Sequence, residues 1–195
     1  MTINPFDFLP PPNPITALWA TRALLVFPDK HMADDCLVSL ESSISITHDP
    51  GDSNTPDMMS RLLNLHKSIS TGVLPIIPKT LEMNIKSLAQ LIRLNVIECR
   101  VLELAATLIE DEWLHTFCTR LPITRRCDAT YIIAAMLDIS FIEASKALAT
   151  TSGLHLAGLM DTQRPDEQNL AKLLGLASEN AYNLSQTQFN PYLLL

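Results

Sequence analysis

Residues 128–161 read DATYIIAAMLDISFIEASKALATTSGLHLAGLMD, and this stretch decides the predicted fold. Its first part predicts an apolar helix that Asp128 caps and that runs through Leu137, followed by a tight turn. Ser140 then caps a second helix, and Glu143 follows three residues later. That spacing is typical of a capping box, in which the two residues satisfy each other's free backbone donors.

The end of the same stretch has a different pattern. Gly153 is positioned to stop the second helix or the turn after it, and the leucines around Gly158 alternate only loosely. We expect a short extended run there. Helix, tight turn, helix and extended run is the sequence order of a winged-helix unit. The C-terminal half is therefore predicted to contain a winged-helix-like unit.

Apolar residues also recur at helical spacing through most of the chain outside this unit. Asn95 and Glu98 form a second capping-box pair, which opens the strongest predicted helix, from Val96 to about Phe117. The fold class that follows is mainly α: a helical bundle with a winged-helix-like, helix–turn–helix unit in its C-terminal half, packed on the long helix.

Proline usage divides the chain into three predicted segments. Most of the 13 prolines precede residue 79, so 1–79 is predicted to be an N-terminal helical, proline-interrupted region that covers the rest. Within it, Asn13 followed by Pro14 predicts a helix start. Residues 80–177 form the predicted helical winged-helix-like domain, and 178–195 a C-terminal tail or linker. The terminal leucines lack a polar stop, which indicates a cut inside a longer protein.

Composition and charge narrow the function classes. The net charge is −7 and the pI about 5.1, so nucleic acid is a disfavoured partner unless a local basic patch exists. No apolar run has the length of a membrane helix, and the N-terminus lacks the pattern of a secretory signal. We expect a cytoplasmic protein without a membrane partner, whose four scattered cysteines are free thiols.

The sequence gives little support for a catalytic site, a phosphate-binding loop or a metal site. Phosphate-loop and nucleophile-elbow motifs are missing, and five glycines leave little material for such loops. His115, Cys118 and Cys127 offer three zinc ligands, but their spacing lacks a paired C-x-x-C knuckle. The carboxylates of residues 110–112 follow one another on a predicted helix, so they point in different directions. We predict no catalytic residue, no metal site and no cofactor.

Charged side chains near the helix–turn–helix unit are the candidate partner-binding residues. Arg120, Arg125 and Arg126 form the local basic cluster and could meet an acidic partner, while Glu143 and Lys146 are expected on the exposed face of the second helix. A helix that reads DNA needs Arg, Lys, Asn or Gln on that face, and this one has a single cation. The pattern favours a protein partner over DNA.

The order of features from Leu94 to Asp161 resembles the helical, winged-helix-like segment that precedes the ATPase module in a group of bacterial AAA-type ATPases. In that family a long helix is followed by the pattern A-x-x-L-x-[IV]-S-x-x-E-x-x-x-A-L and then by L-x-x-x-G-L-[LM]. The matching stretches are LNVIECRVLELAATL (94–108), YIIAAMLDISFIEASKAL (131–148) and SGLHLAGLMD (152–161).

The resemblance implies an N-terminal recognition domain that selects partners or substrates and passes them to a hexameric ATPase. Walker A, Walker B and arginine-finger regions are missing from this chain, so ATP hydrolysis and any homo-oligomer would belong to a module outside it. We therefore expect a non-enzymatic protein-interaction or substrate-recruiting domain. The alternatives are a small winged-helix transcription regulator that binds DNA, and an enzyme with an unrecognised site.

Overall fold

The computed structural model describes residues 4–27, 29–43, 57–71, 77–123, 125–160, 170–174, 178–187 and 190–194. These residues form helices joined by turns, and none of them belongs to a β-strand. The mainly α fold predicted from the sequence is confirmed. The helices are α1 (Pro14–Val26), α2 (Lys30–Ser43), α3 (Met58–Thr71), α4 (Lys79–Ile92), α5 (Val96–Glu110), α6 (Glu112–Arg120), α7 (Arg126–Leu137), α8 (Phe141–Ala147), α9 (Gly153–Leu156), α10 (Leu170–Leu173) and α11 (Ser178–Ser185), with short 3-10 helices at Pro5–Phe8 and Pro191–Leu194.

Helix α1 is packed against several other helices of the bundle. It is apolar nearly all round, and such a helix is stable only when other elements surround it. Helices α2, α3, α6 and α7 all pack against it. As predicted, Asn13 caps it, because its Oδ1 accepts from the backbone N–H groups of Ile15 at 3.1 Å and Thr16 at 3.0 Å. The N-terminal region thus supplies a largely buried helix of the bundle.

One cluster of buried apolar side chains includes members of all three predicted segments, from Phe6 through Leu88 to Leu184. The segment boundaries themselves stay predictions. No helix in the described part of the chain combines the length and the apolar character that crossing a bilayer needs.

The long helix predicted from Val96 to Phe117 is in fact two helices, so that prediction is wrong. Asp111 has extended backbone angles, φ −99° and ψ 101°, and separates α5 from α6. Its Oδ1 accepts from Leu114 N at 2.9 Å, which caps α6. An aspartate competes with helical hydrogen bonding through its own side chain, which is why it is favoured at caps over helix interiors.

Two further predictions fail in the stretch from residue 128. Helix α7 begins before Asp128, and the Asp128 carboxylate instead accepts from Arg125 N at 3.0 Å. Gly153 opens the short helix α9, where an extended run was predicted. The reason is Ser152, whose Oγ accepts from His155 N at 3.3 Å and caps that helix.

Candidate functional site

Helices α7 and α8 are joined as a helix–turn–helix. Asp138 ends α7 in the left-handed conformation, with φ 53°. Ser140 Oγ then accepts from Glu143 N at 3.2 Å, and Glu143 Oε2 accepts from Ser140 N at 2.8 Å. This is the predicted capping box, and it keeps the Glu143 carboxylate on its own helix. Hydrogen bonding of the carboxylate by the Ser140 side chain, and next by the Ser140 backbone N–H, lowers the pKa of Glu143.

Two arginines from other helices hold the C-terminus of α7. Arg22 of α1 donates to Met136 O at 3.2 Å and to Asp138 Oδ2 at 3.2 Å. Arg100 of α5 donates to Leu137 O. The last carbonyls of a helix lack partners within it and carry partial negative charge, so cations placed there are stabilising. These arginines fix the helix–turn–helix on the bundle.

The predicted arginine cluster is divided among different contacts. Arg120, at the end of α6, donates to Asp35 Oδ2 at 3.0 Å. The side chain of Arg125 is 77% exposed, and its Nε lies 3.7 Å from Asp128 Oδ2. Arg126 begins α7, and its side chain lies outside the described part of the chain. Each of the two described arginines therefore has a carboxylate partner within the molecule.

The outer face of α8 combines charge with one large apolar side chain. Lys146 is exposed in its last turn, and Ile142 is 64% exposed near its start. The ring of Tyr131, on α7, stacks on Phe141 with centroids 4.2 Å apart. Partner binding by this face and by the arginines above stays a prediction.

A groove of about 820 Å³ lies elsewhere on the molecule. It is bounded by residues 10–13, called the N-terminal lead-in below, by the start of α4 and by the junction of α5 with α6. Its volume is within the range of about 300–1,000 Å³ that is usual for ligand sites. The residues that line it are Pro10, Pro11, Pro12, Asn13, Pro14, Ile15, Pro78, Leu81, Thr107, Glu110, Asp111, Glu112 and Trp113.

Asp111 fixes the shape of this groove. Its Oδ2 accepts from Asn13 Nδ2 at 2.9 Å and from Thr16 Oγ1 at 2.7 Å, while its Oδ1 caps α6 through Leu114 N. One carboxylate thereby joins the lead-in to the helix junction. The lead-in is itself stiff, because the proline ring fixes φ at each of its prolines. The groove is thus largely preformed.

The groove has an aromatic wall. Trp113 is only 1% exposed, and its Nε1 donates to Ser39 Oγ at 2.9 Å. Its ring stacks on Phe117 with centroids 5.6 Å apart and meets Phe6 at 5.0 Å. Because two aromatic neighbours contact its ring and Ser39 holds its polar atom, Trp113 forms a rigid part of the wall.

The rim of the groove is acidic. Glu110 and Glu112 are exposed and flank Asp111, and no Lys or Arg is among the lining residues. Glu110 is also the last residue of α5, whose last turn contains no basic residue. The negative end of that helix dipole therefore adds to the carboxylate charges.

Other titratable groups have structural explanations. Burial raises the pKa of the Cys36 and Cys118 thiols, which keeps both in the protonated, unreactive form. Burial also raises the pKa of Glu103, with nearby Arg100 opposing the shift. Within the described residues, no three His, Cys, Asp or Glu side chains are grouped closely enough to bind a metal ion.

Sequence reasoning missed the groove, although parts of its signal were visible. The sequence predicts the helix start at Asn13-Pro14, and for the carboxylates of 110–112 it predicts only that they point in different directions. The useful clue was Asp111, a residue type that favours N-caps, directly before the acidic Glu112 and the apolar Trp113. The contact of Asp111 with Asn13 spans 98 positions, and no local pattern encodes it.

Comparison with known proteins adds no relative: no family model matches the chain, and neither a curated protein nor a solved structure resembles it significantly.

Proposed function

We propose that this chain is a non-catalytic protein-interaction domain that recruits a partner or substrate to an AAA-type ATPase. The observation that supports it most is the preformed groove, with buried Leu81 and Trp113 on its inner side and exposed Glu110 and Glu112 at its edge. A site of this size with apolar walls and a few placed polar groups suits a peptide segment of another protein.

A fixed groove lowers the cost of binding. Association loses free energy to ordering loops and side chains, so a site that is already ordered retains more of its contact energy. Asp111 and the proline lead-in provide that order here. This favours a site whose role is recognition.

The AAA-type part of the proposal is supported by the resemblance of residues 94–161. The observed capping boxes at Asn95–Glu98 and Ser140–Glu143 occupy the starts of two elements in that pattern. A Walker A motif downstream in the same reading frame would establish the parentage. A stop codon directly after Leu195 would instead leave a free-standing adaptor.

DNA binding is the second candidate, favoured by the helix–turn–helix connection of α7 and α8. Against it stand the net charge of −7 and an α8 whose exposed charges are Glu143 and Lys146. A mobility-shift assay at low salt decides between the two. Salt-dependent retention of duplex DNA would support a regulator, and no shift would eliminate it.

Site-specific cross-linking in producing cells tests the interaction proposal. A photoreactive phenylalanine replaces Pro11 at the groove and, as the control, Ser87 on the exposed side of α4. We expect a discrete protein adduct from position 11 that position 87 does not form. Mass spectrometry identifies the adduct. No adduct, or the same adducts at both positions, would contradict a recruiting role for the groove.

A further inference from the structure

We propose that the groove binds an extended peptide segment in which a Lys or Arg side chain is flanked by apolar residues. This inference rests on the proposed function and specifies the chemistry of the partner. It follows from two features that occur together: a carboxylate rim without a basic residue among the lining residues, and an apolar wall whose exposed surface comes from proline and isoleucine side chains.

The cationic part follows from the charges at the rim. The Asp111 carboxylate is already occupied by Asn13, Thr16 and Leu114 N. Glu110 and Glu112 are the exposed carboxylates beside it, and both remain accessible to a ligand. An incoming cation gains from these two charges and from the negative end of α5.

An anionic ligand is disfavoured at the same place. The N-terminus of α6 would attract an anion if its backbone donors were free. Asp111 Oδ1 already accepts from one of them, Leu114 N at 2.9 Å, and Glu112 adds a further negative charge in the first turn. The charges of the rim and the Asp111 cap of α6 thus both disfavour an anionic ligand.

The apolar part follows from the walls. Pro10, Pro11 and Pro78 present exposed ring carbons, and Ile15 is partly exposed beside them. A purely charged ligand would leave this surface in water, so it would gain only from the rim. Apolar side chains of the peptide on both sides of the cation bury this apolar surface of the groove. That burial supplies the larger share of the binding energy.

Heteronuclear NMR titration of the full chain tests the inference. The probe is a short acetylated and amidated peptide that alternates Leu-Pro with Lys. Matched peptides replace Lys by Gln, Lys by Glu, or Leu by Ser, and spermidine supplies cationic charge alone. The chain contains two tryptophans, and the Trp19→Phe variant assigns the indole N–H signal of Trp113, which lines the groove.

We expect the Lys peptide to shift the Trp113 indole signal and to leave that of Trp19 in place. Glu110→Gln and Glu112→Gln should each weaken binding about two- to fivefold. Asp34→Asn, which removes an exposed charge of α2 outside the groove lining, should leave the affinity unchanged.

Four outcomes would overturn the inference: no shift with any peptide, equal affinity of the Lys and Glu peptides, equal affinity of the Leu and Ser peptides, or spermidine matching the Lys peptide. The last would indicate a small polyamine site. If the cross-linked adduct at position 11 forms, none of these four outcomes contradicts the proposed function. If that adduct is absent, the recruiting role is contradicted even when the Lys peptide binds.

Discussion

At the scale of single residues, Asp111 contributes most to the arrangement of the groove. It ends α5, caps α6 and accepts two hydrogen bonds at the start of α1, from Asn13 and from Thr16. Its capping role has a local signal in the sequence. Its bonds to the start of α1 join residues distant in the chain, so they could not be predicted.

Asp111→Ala should destabilise the fold by about 1–3 kcal/mol. The substitution removes the cap of Leu114 N and leaves the donors of Asn13 and Thr16 without their acceptor. Urea unfolding measures the difference. Glu112→Ala, at the exposed neighbouring position, is the control and should stay within about 0.5 kcal/mol of the unchanged protein. Equal effects of the two variants would contradict the role given to Asp111.

Gly153→Ala should cost about 1–2 kcal/mol, because a Cβ there would lie 2.9 Å from Leu94 Cδ2 and 3.2 Å from Glu98 Oε1. Glu98 cannot move freely, since its carboxylate accepts from Gly153 N at 2.5 Å and from Asn95 N at 2.9 Å. In a Leu94→Ala background the cost should be smaller. Strictly additive unfolding free energies in this double-mutant cycle would argue against the clash.

Glu103 should make stability fall as the pH rises. Burial raises its pKa in the folded protein. Above the ordinary glutamate pKa of about 4.3, the unfolded chain loses its proton first, so stability declines until the folded value is passed. Glu103→Gln should remove this decline, as urea unfolding between pH 4 and 7 would show. Glu110→Gln, at an exposed position of the same helix, should keep the original profile.

At the scale of elements, local signals predicted some helix starts and missed others. The caps at Asn13, Asn95 and Ser140 were all identified, because a polar residue before an apolar run is a local feature. The break at Asp111 and the helix opened by Gly153 were missed. At Asp111 the apolar pattern continues across the cap, so no break is visible in it. At Gly153 the glycine suggests the end of a helix, although the residue opens one.

The helix–turn–helix depends on Arg22 and Arg100, which bind the final carbonyls of α7. Replacing either by Met should keep much of the side-chain volume and cost about 1–2 kcal/mol, since partly buried helix-end carbonyls lose a charged donor. Arg125→Met, at an exposed position, is the control. Chemical denaturation compares the three, and equal stabilities would show that the turn needs no such support.

At the scale of the whole molecule, the fold class was predictable and the candidate site was not. Helical periodicity alone indicates a mainly α bundle, which the structure confirms. The groove instead depends on tertiary packing, because it joins residues 10–15, 78–81 and 107–113. Each of these stretches, read locally, predicts only a stiff connector or part of a helix.

The central claim is that partners bind in this groove. The most direct measurement is the affinity of the partner identified by cross-linking for two variants: Pro78→Trp, just before α4, which fills the groove, and Ser87→Trp, which adds the same ring on the exposed side of α4. We predict a loss of about tenfold or more for Pro78→Trp and less than about twofold for Ser87→Trp. Equal affinities of the two variants would contradict the claim.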